Sequence, residues 1–284
     1  MLTVAVQKSG RLSEKTMELL RECGINFQNG GREKLKAVAI NFPMEILFLR
    51  DDDIPECVAD GIAHAGVVGE NVVKEKKRDV QIAHKLGFAR CRLSLAVPKS
   101  MPFQSLADLN GRKIATSFPN ILKEFLEKNA IQAEIHEING SVEIAPSIGL
   151  ADLIFDIVST GSTLLSNGLK EVHTVMRSEA ILITTPSLPA EAAELLDKLI
   201  FRIQAAQRAA SYKYILLNAP NDSIEKISSI LPGMKSPTVM PLAMEGWSSV
   251  HSVIKEDDFW EVIEKLKENG AQGILVIPIE KMIM

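Results

Sequence analysis

The sequence predicts an α/β protein with two lobes and a small third domain, on three observations. Short apolar strands alternate with helical segments from residue 1 to about residue 184, the pattern of doubly wound parallel sheets. These strands form two sets, about 1–90 and 92–180, which predicts two α/β lobes with a cleft between them. From Tyr212 the order of elements becomes βαββαβ, which is that of a ferredoxin-like domain.

Composition restricts the class of partner. The chain has 284 residues, 46% of them hydrophobic, and a formal net charge of −4, so no general attraction to nucleic acid or acidic membranes is expected. The three cysteines are widely spaced, which disfavours disulfides and metal binding: Cys23, Cys57 and Cys91. Neither a signal-peptide core nor an apolar run of about 18 residues is present, which predicts a cytoplasmic protein without a membrane partner.

The first lobe begins with a strand, Leu2–Val6, and a polar turn, Gln7–Arg11. Open α/β sheets bind ligands at the carboxyl ends of their strands, so Lys8 and Arg11 are candidate phosphate contacts. Solvated turn charges are the alternative. Ser13 is predicted to cap the helix that follows, which ends at about Cys23.

The rest of this lobe repeats the pattern. Strands are predicted at Ala37–Ile40, Ile46–Leu49 and Ala65–Val68. Arg50 follows the second of them and is a candidate ligand contact, and Asp53 begins a helix. Glu70 and Asn71 open a helix after the third strand, and the run Lys74–Arg78 is predicted to be a solvated helix end.

The second lobe is predicted to hold a helix from about Asn120 to Lys128 and a helix capped by Ser141 that contains Glu143 and Pro146. A long helix, about Pro189–Ala210, follows the lobe. The strands predicted for this half of the chain are Ile82–Leu86, Arg92–Val97, Ile114–Thr116, Ala133–Ile138, Leu153–Val158, Glu171–Met176 and Ala180–Thr184.

One stretch has the composition of a phosphate site. The buried strand Leu153–Val158 leads into Ser159-Thr160-Gly161-Ser162-Thr163, where a helix begins. Backbone N–H groups at a helix start attract anions, and Gly161 permits positive φ and a close approach of phosphate. Asp152 and Asp156 repel phosphate but suit ribose hydroxyls or Mg²⁺. An ordinary capped strand–turn–helix is the alternative.

Longer motifs resemble a known family over essentially the whole chain. They read QKSGRLSEKTMELL, LRDDDIPECVADG, GVVGENV, CRLSLAVP, RKIATSFPN, NGSVEIAPSIGLADLIFDIVSTGSTLLSNGL, SPTVMPLA and GILVIPIEKM. They are similar to the long form of the ATP phosphoribosyltransferase family. The resemblance implies two periplasmic-binding-protein-like lobes plus a regulatory domain. Lobe I would comprise 1–91 with about 178–210, lobe II 92–177, and the regulatory domain 211–284.

The resemblance also implies the reaction, which is the first step of histidine biosynthesis. The phosphoribosyl group of phosphoribosyl pyrophosphate passes to N1 of ATP and pyrophosphate leaves, with Mg²⁺ required. Lys8, Arg11 and Arg50 would neutralise the leaving group. The residues implied to bind phosphoribosyl pyrophosphate are Glu143, Asp152, Asp156, Ser159, Thr160, Gly161, Ser162, Thr163 and Leu164. Those implied to bind the nucleotide or pyrophosphate are Gly10, Asp51, Glu70 and Asn71. Asp156 is a possible metal ligand, although the substrate pyrophosphate would hold most of the metal.

Regulation is implied in the same way. Family members of the long form are inhibited by histidine bound to the C-terminal domain, and AMP is a further expected inhibitor. Candidate histidine contacts are Ser236, Thr238, Val253 and Ala271. Dimers and hexamers are the expected assemblies. His64 stands where the family often has an acid, and we predict a tolerated turn position without a catalytic role.

Two further hypotheses are compatible with the predicted fold. A solute-binding protein also has two α/β lobes and a cleft, but the cationic QKSGR turn and the start of the chain argue against it. An amino-acid sensor that has lost catalysis is the other, and the intact stretch from Asp156 to Leu164 argues against that.

Overall fold

The computed structural model describes residues 1–27, 35–231 and 233–283. The chain divides into two compact units, residues 1–21 with 25–197 and residues 22–24 with 198–284. The first unit contains two sheets and the second unit contains one. The predicted α/β class is confirmed, whereas the predicted boundaries of the two lobes stay a prediction.

The elements of the first unit begin with β1 at Leu2–Gln7. The other strands are β2 Lys36–Val38, β3 Met44–Leu49, β4 Ala65–Gly69, β5 Gln81–Lys85, β6 Cys91–Pro98, β7 Lys113–Thr116, β8 Glu134–Glu137, β9 Leu153–Val158, β10 Leu169–Ser178 and β11 Ala180–Thr184. The helices are α1 Arg11–Glu22, α2 Ile54–Ala59, α3 Glu70–Lys76, α4 Pro119–Lys128 and α5 Ser162–Ser166, and α6, Ala190–Ala210, contains the boundary between the units.

Both sheets of this unit are mixed, so the prediction of purely parallel sheets was wrong. The first has the order β2-β3-β1-β4-β11-β5, in which β1, β3 and β4 are parallel and the other strands pair antiparallel. The second has the order β10-β6-β9-β7-β8, in which β7, β8 and β9 are parallel. A parallel neighbour needs a crossover over the same sheet. β11 has none, because it enters the first sheet directly from β10 of the second.

The parallel strands place their carboxyl ends together. In the first sheet β1 lies between β3 and β4, and the amide of Lys8 donates to the carbonyl of Leu49 at 2.8 Å just beyond the strand ends. In the second sheet β7 lies between β9 and β8. Each sheet therefore has one edge at which three successive loops converge.

Apolar side chains fix the faces of β9. Leu153 and Phe155 lie in one buried cluster with Leu93 and Leu122, whereas Ile154 and Val158 lie in another with Val142. Alternate residues of a strand point to opposite faces, so Asp156 shares the face of Ile154 and Val158. The sequence thus places one carboxylate on a face that is otherwise apolar.

Two predicted helix caps were wrong. α1 begins at Arg11 rather than after Ser13, and Ser13 is buried with its hydroxyl unpartnered among the described residues. Ser141 has left-handed geometry, φ 49°, and makes no side-chain cap; the helix predicted after it is a three-residue 3₁₀ turn, Val142–Ile144. In both places the tertiary packing overrides the local preference of serine for a cap.

The two sheets are joined through a buried carboxylate. Glu75 of α3 is only 6% exposed. Its Oε1 accepts from the amide of Asn120 at 2.9 Å and its Oε2 from the amide of Ile121 at 3.0 Å. The first amides of α4 have no partner in their own helix, so Glu75 caps α4 from the other sheet. The prediction that all of Lys74–Arg78 is solvated was wrong at this residue, because α3 turns Glu75 towards α4.

The second unit forms a four-stranded antiparallel sheet with the order β13-β14-β12-β15, as a ferredoxin-like domain requires. Its strands are β12 Tyr212–Pro220, β13 Thr238–Pro241, β14 Trp247–Lys255 and β15 Gln272–Pro278, and its helices are α7 Ile224–Ile230 and α8 Phe259–Glu268. Ile215, Leu217 and Val250 face these helices in one buried cluster. In the part of the chain that the structure describes, no helix is long and apolar enough to cross a membrane.

Candidate active site

A cavity of about 630 Å³ lies between the carboxyl edges of the two sheets in the first unit. From the first sheet, Asp51, Asn71 and Glu75 line it, and from the second, Ser117 and Asn139. Open α/β sheets bind ligands at this edge, and here two such edges border one space. The cavity is mainly polar, which suits phosphates, ribose and a purine edge.

The predicted cations lie at the edge of the first sheet. Lys8 and Gly10 follow β1, Arg11 begins α1, and Arg50 follows β3, which is the neighbouring parallel strand. Lys8, Arg11 and Arg50 are exposed, and Gly10 has φ +93°, a conformation that glycine adopts without strain. The fold thus brings three positive charges to one edge, although none of the three lines the cavity directly.

The two polar residues after β4 are held by neighbouring groups. Asn71 is buried; its amide donates to the hydroxyl of Ser178 at 3.1 Å, and that hydroxyl donates to its Oδ1 at 2.8 Å. The carboxylate of Glu70 lies 3.7 Å from the ammonium of Lys85. Asn71 also lines the cavity, so a ligand would meet a side chain that is already oriented.

The predicted phosphate loop, Ser159–Leu164, follows β9 at the edge of the second sheet. Gly161 has φ +83°, and the hydroxyls of Thr160 and Ser162 lie 3.0 Å apart. Within the described chain, no backbone carbonyl accepts from the amides of Gly161 or Thr163. The loop therefore offers amides and hydroxyls to an acceptor-rich ligand, as the sequence predicted.

Asp156 is the acid that the fold brings towards this loop. It lies two residues before the end of β9, half-buried, and the amide of Ile157 donates to its Oδ1 at 2.8 Å. Burial raises the pKa of Asp156 to about 6, and the nearby carboxylate of Glu143 raises that pKa further, against the bond from Ile157. Carboxylates with such strained ionisation are typical of functional sites, because the charge is retained for a ligand.

Asp152 is not brought to the loop. It precedes β9 at the other end of the strand, and a six-residue strand spans about 20 Å. There its Oδ2 accepts from the amide of Lys113 at 2.8 Å, and its Oδ1 lies 3.9 Å from the guanidinium of Arg112. A role beside Asp156 in ribose or metal binding is incompatible with this position, so Asp152 has a structural role in starting β9.

No group of three or more His, Cys, Asp or Glu side chains among the described residues is arranged to hold a metal ion. Asp156 and Glu143 are close enough to influence each other's charge, which supplies at most a pair of oxygen donors. That donor set fits Mg²⁺ whose other ligands are the oxygens of a bound diphosphate and water.

Three residues near this site were missed from the sequence. Glu75 was assigned to a solvated run, and Arg92 and Glu171 were passed over as strand residues. Arg92 pairs with Glu171, with Nε to Oε1 at 2.6 Å, and its Nη1 donates to the carbonyl of Ser159 at 3.0 Å. All three contacts join residues at least 45 positions apart, so no local pattern signals them.

The candidate effector residues fall in the second unit. Thr238 and Val253 lie on the sheet face opposite the helices, where the hydroxyl of Tyr214 bonds Nδ1 of His251 at 2.7 Å. Ser236 is exposed just before β13. Ala271 is instead buried in the cluster beneath α8, and its amide donates to the carbonyl of Leu266 at 3.0 Å. The structure thus brings two of the four together.

His64 has a structural role in the turn before β4. Its Nδ1 accepts from the amide of Thr3 at 2.9 Å, and its carbonyl accepts from the hydroxyl of Thr184 at 2.9 Å. The imidazole is half-buried and ties β1 to its neighbours. These bonds account for a histidine at this position without a catalytic role.

Comparison with known proteins identifies the family. The family model for HisG, ATP phosphoribosyltransferase, matches residues 50–205, and the model for the HisG C-terminal domain matches residues 209–281. An ATP phosphoribosyltransferase from Cytophaga hutchinsonii is 60% identical over 282 residues, which cover 99% of this chain and 98% of that protein. The chain belongs to the ATP phosphoribosyltransferase family. One from Bacteroides thetaiotaomicron is 57% identical over the full length of both chains.

Solved structures agree with this assignment. A chain of the ATP phosphoribosyl transferase (HisG:HisZ) complex from Thermotoga maritima superposes with TM-score 0.61 and 28% identity, covering 72% of this chain and 99% of that one. A substrate-binding protein of an amino acid ABC transporter has TM-score 0.50 but only 11% identity over 74% of this chain and 94% of its own, which shows a common fold alone.

The family settles the activity. The chain is an ATP phosphoribosyltransferase of the long form, since the C-terminal domain is present, and its substrates are ATP and phosphoribosyl pyrophosphate. It catalyses the first step of histidine biosynthesis. The solute-binding and sensor hypotheses are not supported.

Replacing Asp156 by asparagine should stabilise the protein at neutral pH. The pKa of Asp156 is raised in the folded state, so the folded protein keeps a proton that the unfolded chain releases between pH 4 and pH 6. The stability due to the neutral carboxyl is present below about pH 4 and is lost as the pH rises through about 6. After allowance for solvent screening, Asp156→Asn should gain about 1–2 kcal/mol at pH 7 and nothing at pH 4.

Chemical unfolding at the two pH values measures this difference. Asp152→Asn, at the other end of β9, is the control and should show no gain at pH 7. An Asp156→Asn variant whose stability follows the wild type at both pH values would disprove the strained ionisation.

Proposed function

We propose that phosphoribosyl pyrophosphate binds with its 5′-phosphate at Ser159–Leu164 and its pyrophosphate towards Lys8, Arg11 and Arg50, with ATP reaching the ribose across the cleft. The observation that supports this is the arrangement of the two carboxyl edges around one cavity. One edge carries three exposed cations, and the other carries a loop of amides and hydroxyls beside a carboxylate. A donor with phosphates at both ends of its ribose fits such a divided site.

The chemistry requires stabilisation of charge more than a strong base. N1 of adenine already presents a lone pair, so no proton needs to be removed before attack. The barrier comes from departure of pyrophosphate from a ribose with oxocarbenium character. Cations placed where negative charge develops lower that barrier, which is the role we assign to Lys8, Arg11 and Arg50. Holding both substrates in one cleft contributes orientation.

Asp156 and Glu143 would face the ribose. An ionised carboxylate accepts hydrogen bonds from two adjacent hydroxyls and also favours the positive charge of the transition state. Bound Mg²⁺ supplies neutralisation of the pyrophosphate, with Asp156 as a protein ligand. Gly10, Asp51, Glu70 and Asn71 are assigned to the nucleotide or the pyrophosphate, because they follow β1, β3 and β4 at the cation-bearing edge.

Regulation is assigned to the second unit. Histidine would bind at the sheet face of Thr238 and Val253, with Ser236 near its edge and Ala271 contributing through its backbone only. AMP would compete with ATP in the cleft, and homodimers would assemble into hexamers. The predicted cytoplasmic location stays a prediction. A rate of adduct formation from ATP and phosphoribosyl pyrophosphate that histidine leaves unchanged would refute the regulatory assignment.

The loop assignment is tested by Gly161→Val. At φ +83° a β-branched residue is strained, and its side chain occupies the approach to the loop amides. The nearest group to an added Cβ is a methyl of Val158 at 3.9 Å, so the core itself accepts the change. We expect KM for phosphoribosyl pyrophosphate to rise by about tenfold or more, the equivalent of one lost charge-assisted contact, with a small change in KM for ATP.

Gly111→Val is the matched control. Gly111 has φ +72° and open space around an added Cβ, so the backbone strain is similar, but it lies in the turn before β7. Gly161→Val kinetics indistinguishable from those of Gly111→Val would show that the 5′-phosphate binds elsewhere.

A further inference from the structure

We infer that Arg92, held by Glu171, is a positioning residue for the phosphate loop: it binds the carbonyl of Ser159 and so orients the loop for the 5′-phosphate of the donor. The inference rests on the proposed function of Ser159–Leu164 and adds two residues that no motif of the chain indicates.

The guanidinium of Arg92 is engaged on two sides. Nε donates to Oε1 of Glu171 at 2.6 Å and Nη2 donates to Oε2 at 2.5 Å, which is a bidentate pair. On the other side Nη1 donates to the carbonyl oxygen of Ser159 at 3.0 Å. A planar guanidinium transmits orientation from one side to the other, so the position of Glu171 determines where the carbonyl of Ser159 is held.

Glu171 is itself held in place. Its Oε1 accepts from the hydroxyl of Ser94 at 2.8 Å and from the hydroxyl of Thr174 at 3.2 Å. Ser94 is fully buried in β6, directly opposite Asp156 of β9. The hydrogen bonds from Arg92 lower the pKa of Glu171 to about 2, so the carboxylate stays charged at any pH at which the enzyme is assayed. The network thus joins three strands, β6, β9 and β10, beneath the start of the loop.

This contact has a consequence for anion binding. A carbonyl oxygen is partly negative and repels phosphate, whereas the amides and hydroxyls of the same loop attract it. Arg92 binds the Ser159 oxygen at the first residue of the loop, which fixes the peptide from which Thr160 and Gly161 continue. Without the guanidinium that peptide is free to rotate, and its carbonyl competes with the donor groups for the site.

Two roles for Arg92 make opposite predictions. If Arg92 attracted the phosphate directly by its charge, Glu171 would weaken that attraction, and Glu171→Gln would improve or preserve donor binding. If Arg92 positions the loop, Glu171→Gln removes the anchor of the guanidinium and weakens donor binding. The sign of the effect therefore separates positioning from direct contact.

The experiment compares Arg92→Lys and Glu171→Gln with the wild type in steady-state kinetics for each substrate. Lysine keeps the charge but cannot bind Glu171 bidentately and Ser159 at once. We expect both variants to raise KM for phosphoribosyl pyrophosphate by about tenfold, as for loss of a hydrogen bond to a charged group, while KM for ATP changes less than about twofold. The thermal unfolding midpoint is recorded for each variant.

Arg78 and Glu56 provide the matched control. They form a single Arg–Glu contact, Nη2 to Oε1 at 3.0 Å, in the first sheet's part of the same unit. Arg78→Lys and Glu56→Gln should leave both KM values unchanged. A variant that does not fold is replaced by Ser94→Ala, which removes one hydrogen bond to Glu171 and should raise the same KM by a smaller factor.

Three outcomes decide the matter. Unchanged or lower KM for phosphoribosyl pyrophosphate in Glu171→Gln overturns the positioning role. Equal increases in both KM values also overturn it, because they indicate a general loss of structure. If Gly161→Val raises the donor KM but the Arg92 and Glu171 variants do not, only this inference fails; if Gly161→Val has no effect, the loop assignment itself fails.

Discussion

The cleft of this enzyme depends on one buried charge, the carboxylate of Glu75. Both of its oxygens accept from amides at the start of α4, and its backbone carbonyl accepts from the side chain of Asn120 at 3.0 Å. An unpaired carboxylate in this position would be costly, whereas the free amides and the dipole of a helix start offset its desolvation. The interaction joins two separate sheets, so it determines that their carboxyl edges face one cavity. Lys77 and Glu124, 2.6 Å apart but exposed, add little to it.

The division of labour between the edges follows from that arrangement. The edge of β3, β1 and β4 carries cations, and the edge of β9, β7 and β8 carries the loop and Asp156. The raised pKa of Asp156 is the energetic cost of keeping a carboxylate on an apolar face, and it marks the point where stability is given up for ligand binding. Arg92 and Glu171 then hold the loop from behind.

The local features could be predicted from the sequence because they depend on short-range rules. Apolar periodicity located β1, β9 and β11 to within a residue, and Gly161 was expected to need positive φ. The rule that ligands bind at carboxyl ends of strands brought Lys8, Arg11 and Arg50 together. The same rule should have excluded Asp152, since it precedes the strand whose far end carries the loop. Motif resemblance supplied the family and the reaction, which composition and periodicity do not contain.

The remaining features depend on pairing between distant parts of the chain. Glu75 lies in a run of charges, KEKKR, that looks solvated until α4 is placed beside it. Arg92 and Glu171 lie on neighbouring strands separated by 79 residues of sequence. The antiparallel entry of β11 depends on the chain crossing between sheets, which no local pattern records. Serine caps failed at Ser13 and Ser141 because packing selected another start for each turn.

The most direct test of this account is to replace Glu75 by alanine and measure the unfolding free energy together with KM for both substrates. The account predicts a loss of about 2 kcal/mol or more, because two amides lose their acceptor, and higher KM values for ATP and for phosphoribosyl pyrophosphate, since both need facing edges. Glu124→Ala, which removes only the exposed contact to Lys77, is the control. If Glu75→Ala matched Glu124→Ala in stability and in both KM values, the buried carboxylate would not be what holds the cleft together.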